Sequence, residues 1–248
     1  MIISHEATEA WEKYVIAEYP NEACAYVVDG SIYPVKNHSE TPTLTFSVDV
    51  IDRLMAHKLG KVEAFLHSHP YKIEESNFAW NPAWASAEDM KTWIADNIPW
   101  GISSTEGEGV STIFWYDDSM EAMSPLEGRE FISGLHDCYS VVRDYYRSVL
   151  GIHIPNFSRG YGWWDRGEEL YLEGFEKAGF IEIPMEEATI NDAVMMSLGT
   201  GVVVHAAVIV GENQILQHNI KRLSGYDSLA KWGRQIVKAV RYVGVKND

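Results

Sequence analysis

The sequence predicts an α+β chain divided into two domains, and three observations carry that expectation. Apolar residues make up 46% of the 248 positions, enough to bury one or two cores. In the first half, two short β-like runs flank Asp29-Gly30, the dipeptide that best favours a tight hairpin, with helical periods on either side. In the second half a helix comes first and strands follow, and a stretch without sustained period, 117–128, separates the two.

In chain order, 5–19 carries Ala7, Ala10, Trp11, Tyr14, Val15 and Ala17 at helical spacing and stops at Pro20. The hairpin pairs Cys24–Val28 with Ser31–Val35. A second helix fits 48–59, closed by Gly60, and Val62–Leu66 reads as a buried strand leading into His67-Ser68-His69-Pro70. A third helix fits 86–97, and 111–116 closes the section as a strand. The first domain is therefore expected over 1–116, the linker over 117–128 and the second domain over 129–248. In that second domain, 137–150 is a helix ended by Gly151 and 168–178 another ended by Gly179. Residues 201–210, 214–217 and 236–245 are its strands. No internal repeat or low-complexity tract interrupts the chain.

The balance of 20 Lys+Arg against 36 Asp+Glu gives a formal charge of −16, which opposes nonspecific binding to nucleic acid or to an anionic membrane surface. No apolar run reaches the length of a membrane span and no secretory signal opens the sequence, so the chain is expected to be made in the cytoplasm and carried outside by other means. Cys24 and Cys138 lie too far apart for a zinc knuckle and are a poor basis for a disulfide framework.

Two constellations carry chemistry. His67 and His69 stand two apart at a strand end, which places both imidazoles on one face where they can share a metal. Downstream, Ser86-Ala87-Glu88-Asp89 supplies a carboxylate one helical turn after a Ser, the geometry of a third ligand, although taken alone the pair reads better as a plain helix cap with Asp89 complementing the dipole. Glu22, just before the first strand, is a candidate general base. The second constellation centres on Cys138 at the first turn of a helix, where unpaired N–H groups and the helix dipole favour a thiolate. His205 lies in a strand otherwise too apolar to carry an imidazole without a reason, and Gln217 or His218 on the next strand can orient it.

Glu22, His67-Ser68-His69-Pro70 and Ser86-x-x-Asp89 together resemble the JAMM motif of the JAB/MPN metalloproteases. That resemblance implies an α/β fold over 1–116, zinc, Zn(2+), on His67, His69 and Asp89, Glu22 as the base and Ser86 as an oxyanion stabiliser. The stretch from Pro70 to Ser86, with Asn77, Trp80, Pro82 and Trp84, is longer than the family's usual spacing. Asp137-Cys138, the run from His205 to Gly211, and the Gln217/His218 pair resemble the NlpC-type cell-wall peptidases, which implies a papain-like fold. Tyr139 replaces the Ser that usually follows the cysteine. The two domains in this order, with 128–131, 136–138 and 222–224 around them, resemble the tail tip proteins of lambda-like siphophages. That resemblance implies a virion component whose partners are peptidoglycan peptides and other phage tail tip proteins. The expected activity is thiol hydrolysis of stem-peptide bonds beside a zinc hydrolase site. The alternative is a structural tail piece whose sites are vestigial or process another tail protein. Removal of ubiquitin-like modifiers is a weaker reading, since it leaves the cysteine domain without a purpose.

Overall fold

The computed structural model describes residues 3–71, 81–119 and 122–245. They form two compact units, one of residues 1–85 and 91–122 and the other of 86–90 and 123–248. Asn77 and Trp80, in the long stretch after Pro70, lie outside the described residues.

In the first unit, α1 (His5–Glu18) begins at Ser4, whose side chain accepts the Ala7 N–H. Strands β1 (Cys24–Val28) and β2 (Ser31–Val35) form the expected hairpin. Asp29 and Gly30 both adopt positive φ, 47° and 74°, the conformation that a turn matching the twist of the strands demands. Helix α2 (Val50–Leu59) starts two residues later than its apolar spacing suggests, because Asp49 caps it by accepting the Ile51 N–H at 2.8 Å. Strand β3 (Val62–Pro70) runs past Leu66 and takes both histidines into the sheet. After α3 (Ala87–Asp96), of which the residues from 91 on cluster with this unit, come β4 (Trp100–Thr105) and β5 (Phe114–Tyr116).

The sheet order is β2-β1-β3-β4-β5, antiparallel except for the β3–β4 pair. Trp11 and Val15 of α1 pack on Ala25, Val27, Ala64 and Leu66. The alternate residues of the same strands, Tyr26, Phe65 and His67, therefore face away from α1, among Phe46 and Trp100. This pleat decides which side of the sheet can hold a metal.

In the second unit, α4 (Cys138–Leu150) ends on Gly151, which takes the left-handed conformation. Helix α5 (Leu170–Gly174) replaces the longer helix expected over 168–178. Its chain turns early, with Ala178 donating to the Gly174 carbonyl and Phe180 to that of Phe175, so that Phe175 packs into the core. Strands β6 (Phe180–Ile183), β7 (Ala193–Met196), β8 (His205–Gly211), β9 (Gln214–Gln217) and β10 (Gly225–Ser228) follow, then α6 (Leu229–Trp232) and β11 (Ile236–Tyr242). All neighbours in the sheet order β10-β9-β8-β7-β11-β6 are antiparallel.

One face of that sheet, with Ala206, Val208 and Leu216, packs on Val141, Val142 and Tyr145 of α4. The other face, with Ala207, Ile209 and Ile215, is covered by Leu229, Trp232 and Ile236. Of the stretch expected to link the halves, 123–128 clusters with the second unit. Arg129 donates from Nε to the Pro125 carbonyl at 2.7 Å and from Nη2 to that of Ser124 at 2.6 Å, and Gly128 N–H reaches the Ser224 carbonyl.

Candidate active site and metal centre

The thiol site is built by two elements that meet end to side. Helix α4 starts at Cys138 because Asp137 caps it, accepting the Ser140 N–H at 2.9 Å and the Gly134 N–H at 2.8 Å. The buried Arg159 locks this cap with Nε 2.8 Å from Asp137 Oδ2. These bonds hold the Asp137 carboxyl down at about 2 although burial opposes the charge.

The Cys138 sulfur then lies against the start of β8. It is 3.7 Å from the Val204 carbonyl and 3.0 Å from the Tyr171 hydroxyl on α5. His205, which opens β8, is buried, and its Nε2 is 2.9 Å from Gln217 Oε1 on β9. An amide oxygen only accepts, so His205 Nε2 carries the proton and Nδ1 holds the lone pair, as a general base requires.

Of the two candidates for the third place, Gln217 is the one whose side chain is hydrogen-bonded to His205. His218, just past the end of β9, is buried beside the Phe131 ring at 5.2 Å. Tyr139 turns its hydroxyl to the Pro155 carbonyl at 2.6 Å and its ring under the Arg159 guanidinium, 4.8 Å away.

The expected neutral-pH thiolate needs correction. Burial, then the Asp137 charge, push the Cys138 thiol up to about 11, and they outweigh the Tyr171 and Ala206 N–H hydrogen bonds and the Arg159 charge that favour ionisation. Burial lowers His205 to about 4. At neutral pH both partners are uncharged. The sulfur is hydrogen-bonded to the Tyr171 hydroxyl, the Val204 carbonyl and the Ala206 backbone N–H, and among the described residues no hydrogen bond joins it to His205. The helix start was legible in sequence, whereas the capping charge that opposes its effect was read only as part of a motif. Tyr171 lay inside an expected helix that gave no sign of its role.

The candidate metal centre lies on the face of the first sheet turned from α1. His67 and His69 bring their Nε2 atoms to 3.0 Å of each other. His69 Nδ1 is 2.7 Å from the Pro82 carbonyl, so Nδ1 carries the proton and Nε2 is the nitrogen suited to a metal. Phe46 and Trp100 stand 4.8 and 5.5 Å from the His67 ring and fix its plane.

Ser86 and Asp89 form a reciprocal cap, Ser86 N–H to Asp89 Oδ2 at 2.8 Å and Asp89 N–H to Ser86 Oγ at 3.1 Å. His67, His69 and Asp89 each offer a ligand atom, all within 4.8 Å of one another. Two imidazoles and a carboxylate are the donor set of an open zinc site, so the residues fit the metal that the motif implies. Glu22 is buried, and the Ser68 N–H to Ala23 carbonyl bond extends the β1–β3 register so that Glu22 stands level with His69. Cys24 is directly across from His67 and fully buried.

Residues 128–241, a span that includes α4, β8 and β9, match the model of the NlpC/P60 family. Over a longer span the chain is similar to Tail tip assembly protein K of Escherichia phage lambda, 29% identical across 79% of this chain and 94% of that protein. It is also 28% identical to Tail tip assembly protein K of Escherichia phage N15, across 95% of this chain and 93% of that one. A solved NLP/P60 family structure from Staphylococcus aureus is 21% identical over 48% of this chain and 38% of its own, with a TM-score of 0.34, too low to carry an inference.

Proposed function

We propose that this chain is a phage tail tip protein that hydrolyses stem-peptide bonds of peptidoglycan with Cys138 as nucleophile, and that it holds zinc at His67, His69 and Asp89. The observation that carries the peptidase reading is the convergence on one sulfur. Helix α4 presents Cys138 at its start, β8 meets that sulfur through the backbone of Val204, the residue before His205, and Gln217 on β9 bonds the His205 imidazole so that Nδ1 is its basic nitrogen. The family match over 128–241 supports the same chemistry. The similarity to two tail tip assembly proteins supports a place in the virion tail, beside other tail tip proteins.

In the proposed reaction Sγ attacks the scissile carbonyl carbon as its proton passes to His205 Nδ1. The imidazolium returns that proton to the departing amine, leaving a thioester. Water, giving a proton to the same nitrogen, then releases the acid and the thiol is restored. With thiol and imidazole both neutral at rest, the proton moves as Sγ attacks the carbonyl carbon, not beforehand. That same protonated thiol, bonded to Tyr171, is the observation favouring the second reading, a structural tail piece with a latent site. Incubation of purified peptidoglycan with wild type and Cys138→Ala, followed by mass spectrometry of the soluble muropeptides, separates the two. Cleavage products from wild type and none from the variant are expected, and identical profiles would reject the peptidase reading.

At the metal centre, His67, His69 and Asp89 would hold zinc, which supplies a Lewis acid and acidifies a bound water. Glu22 would accept a proton at its carboxylate, and Ser86 keeps its own O–H to donate while accepting the Asp89 N–H. The donor set supports a JAB/MPN-type reading of these residues. The protein prepared without chelator is expected to carry about one zinc per chain, lost in the His67→Ala/His69→Ala double variant. A folded wild-type sample free of zinc by elemental analysis would end that part of the proposal.

A further inference from the structure

We propose that Asp227 is a positioning residue for His205, acting through the side-chain amide of Gln217 to choose which imidazole nitrogen is the base. This rests on the peptidase reading of Cys138 and His205.

The placement follows from strand register. In the second sheet Gln217 on β9 stands opposite Ala207 on β8 and Gly225 on β10. His205 and Asp227 are each two residues from those partners, so all three side chains share one face and meet along diagonals. Gly225 opposite Gln217 puts no side chain between the amide and the carboxylate. Gln217 Nε2 donates to Asp227 Oδ2 at 3.2 Å, while its Oε1 accepts from His205 Nε2 at 2.9 Å and from Asn219 Nδ2 at 3.1 Å.

A primary amide has a donor end and an acceptor end, and by itself Gln217 can present either to His205. An ionised carboxylate only accepts, so Asp227 takes the donor end and turns Oε1 to the imidazole. His205 Nε2 must then carry the proton, which leaves Nδ1 basic. Turned the other way, the amide would donate to Nε2 and place the proton on Nδ1, the nitrogen that has to receive one from the thiol. The carboxylate is itself fixed. Lys231 Nζ at 2.8 Å and Trp232 Nε1 at 2.9 Å also bond to Oδ2, and the Ser228 N–H bonds to Oδ1 at 2.9 Å. The Trp232 ring, 6.2 Å from that of His205 and tilted by 34°, covers the same side of the relay.

The test reads the tautomer directly, on the full chain labelled with 15N-histidine, by long-range 1H–15N spectra in which His205 is assigned with a His205→Ala control. Wild type is expected to show a single Nε2–H form. Asp227→Ala, which frees the amide to rotate, should show a mixture with the Nδ1–H form. Asp227→Asn should keep the wild-type form, because Lys231 and Trp232 draw its carbonyl oxygen into the place of Oδ2. If the alanine variant does not fold, Asp227→Ser replaces it, since that hydroxyl can still serve the Ser228 N–H but stops short of the amide. Peptidoglycan cleavage should fall by about tenfold to a hundredfold in the Ala or Ser variant and be retained in Asn, within the range that acid–base catalysis contributes. An unchanged tautomer in a folded Ala or Ser variant overturns the proposal, whether or not cleavage falls. If wild type cleaves nothing, the peptidase reading fails while the tautomer shift still decides the role of Asp227.

Discussion

Cys138 is a cysteine whose local chemistry pulls in two directions. The helix start and the Tyr171 hydroxyl favour the thiolate, while burial and the Asp137 carboxylate favour the thiol, and the second pair prevails at about 11. Alkylation of Cys138 should therefore keep rising with pH beyond 9, and a plateau below pH 8 would show that the sulfur is paired with an imidazolium after all. Cys24 should stay unlabelled in the folded protein, since it is fully buried within β1. Removing the hydroxyl with Tyr171→Phe should slow labelling by roughly tenfold at a fixed pH below 10, the effect of one hydrogen bond to a charged group. Faster labelling in that variant would mean that Tyr171 shields the sulfur more than it activates it. Sequence singled out Cys138, His205, His67, His69 and Asp89 as candidates through the motifs they form together, since the spacing of each alone is weak. It left Gln217 and His218 equal because only strand register tells which of two adjacent residues faces His205. Asp227 gave no signal at all, being an ordinary acidic residue on a strand that the sequence did not announce.

At the scale of elements, legibility followed how strongly a segment's own residues express its period. The β1–β2 hairpin was plain because Asp29-Gly30 punctuates two apolar runs. Strand β4 went unseen because Trp100-Gly101-Ile102-Ser103-Ser104-Thr105 has no apolar run, yet every residue of it is buried. Two of its hydroxyls are paired, Ser103 accepting from the Trp11 indole N–H at 3.1 Å and Thr105 donating to the Gly109 carbonyl at 2.7 Å, which helps make a polar central strand tolerable. Strand β10 is a short polar edge with Gly225, and β7 is four residues long, so neither shows a usable alternation.

Helix α4 was legible at both ends, and its cap makes a prediction of its own. Asp137→Ala removes two backbone bonds and leaves buried Arg159 without its anion, at an expected cost of about 3–5 kcal/mol, read from urea midpoints. Asp137→Asn keeps an oxygen for the cap and removes the charge that raises the thiol. If it folds, the alkylation profile should move to lower pH, and a profile that stays put would take Asp137 out of the account of the thiol.

For the whole molecule, acid is the condition that these burials make decisive. His205 and His136 are lowered to about 4, in both cases chiefly by burial and with the nearby Arg129 charge adding to it for His136. Above pH 6.5 the imidazoles are neutral in folded and unfolded chains alike and stability does not depend on them. Between 6.5 and 4 the unfolded chain binds protons that the folded chain refuses, so stability falls as pH falls through that window. His205 alone should cost about 3 kcal/mol by its lower end. Asp137, held at about 2, extends the loss, because from about pH 4 downward the unfolded carboxyl is protonated while the folded one is still charged. The net charge acts with the opposite sign. As pH drops from 7 toward the sequence pI of about 4.9, the charge of −16 is discharged, and relief of self-repulsion stabilises the compact state. A fall in unfolding free energy between pH 6.5 and 5 therefore singles out buried groups that refuse protons. Urea denaturation of wild type and His205→Gln at pH 7.5, 5.5 and 4.5, in dilute samples with EDTA to set any metal aside, should give a steeper loss for wild type. Parallel curves for the two proteins would mean that His205 is protonated in the folded state, and the neutral, tautomer-fixed base would have to be abandoned with it.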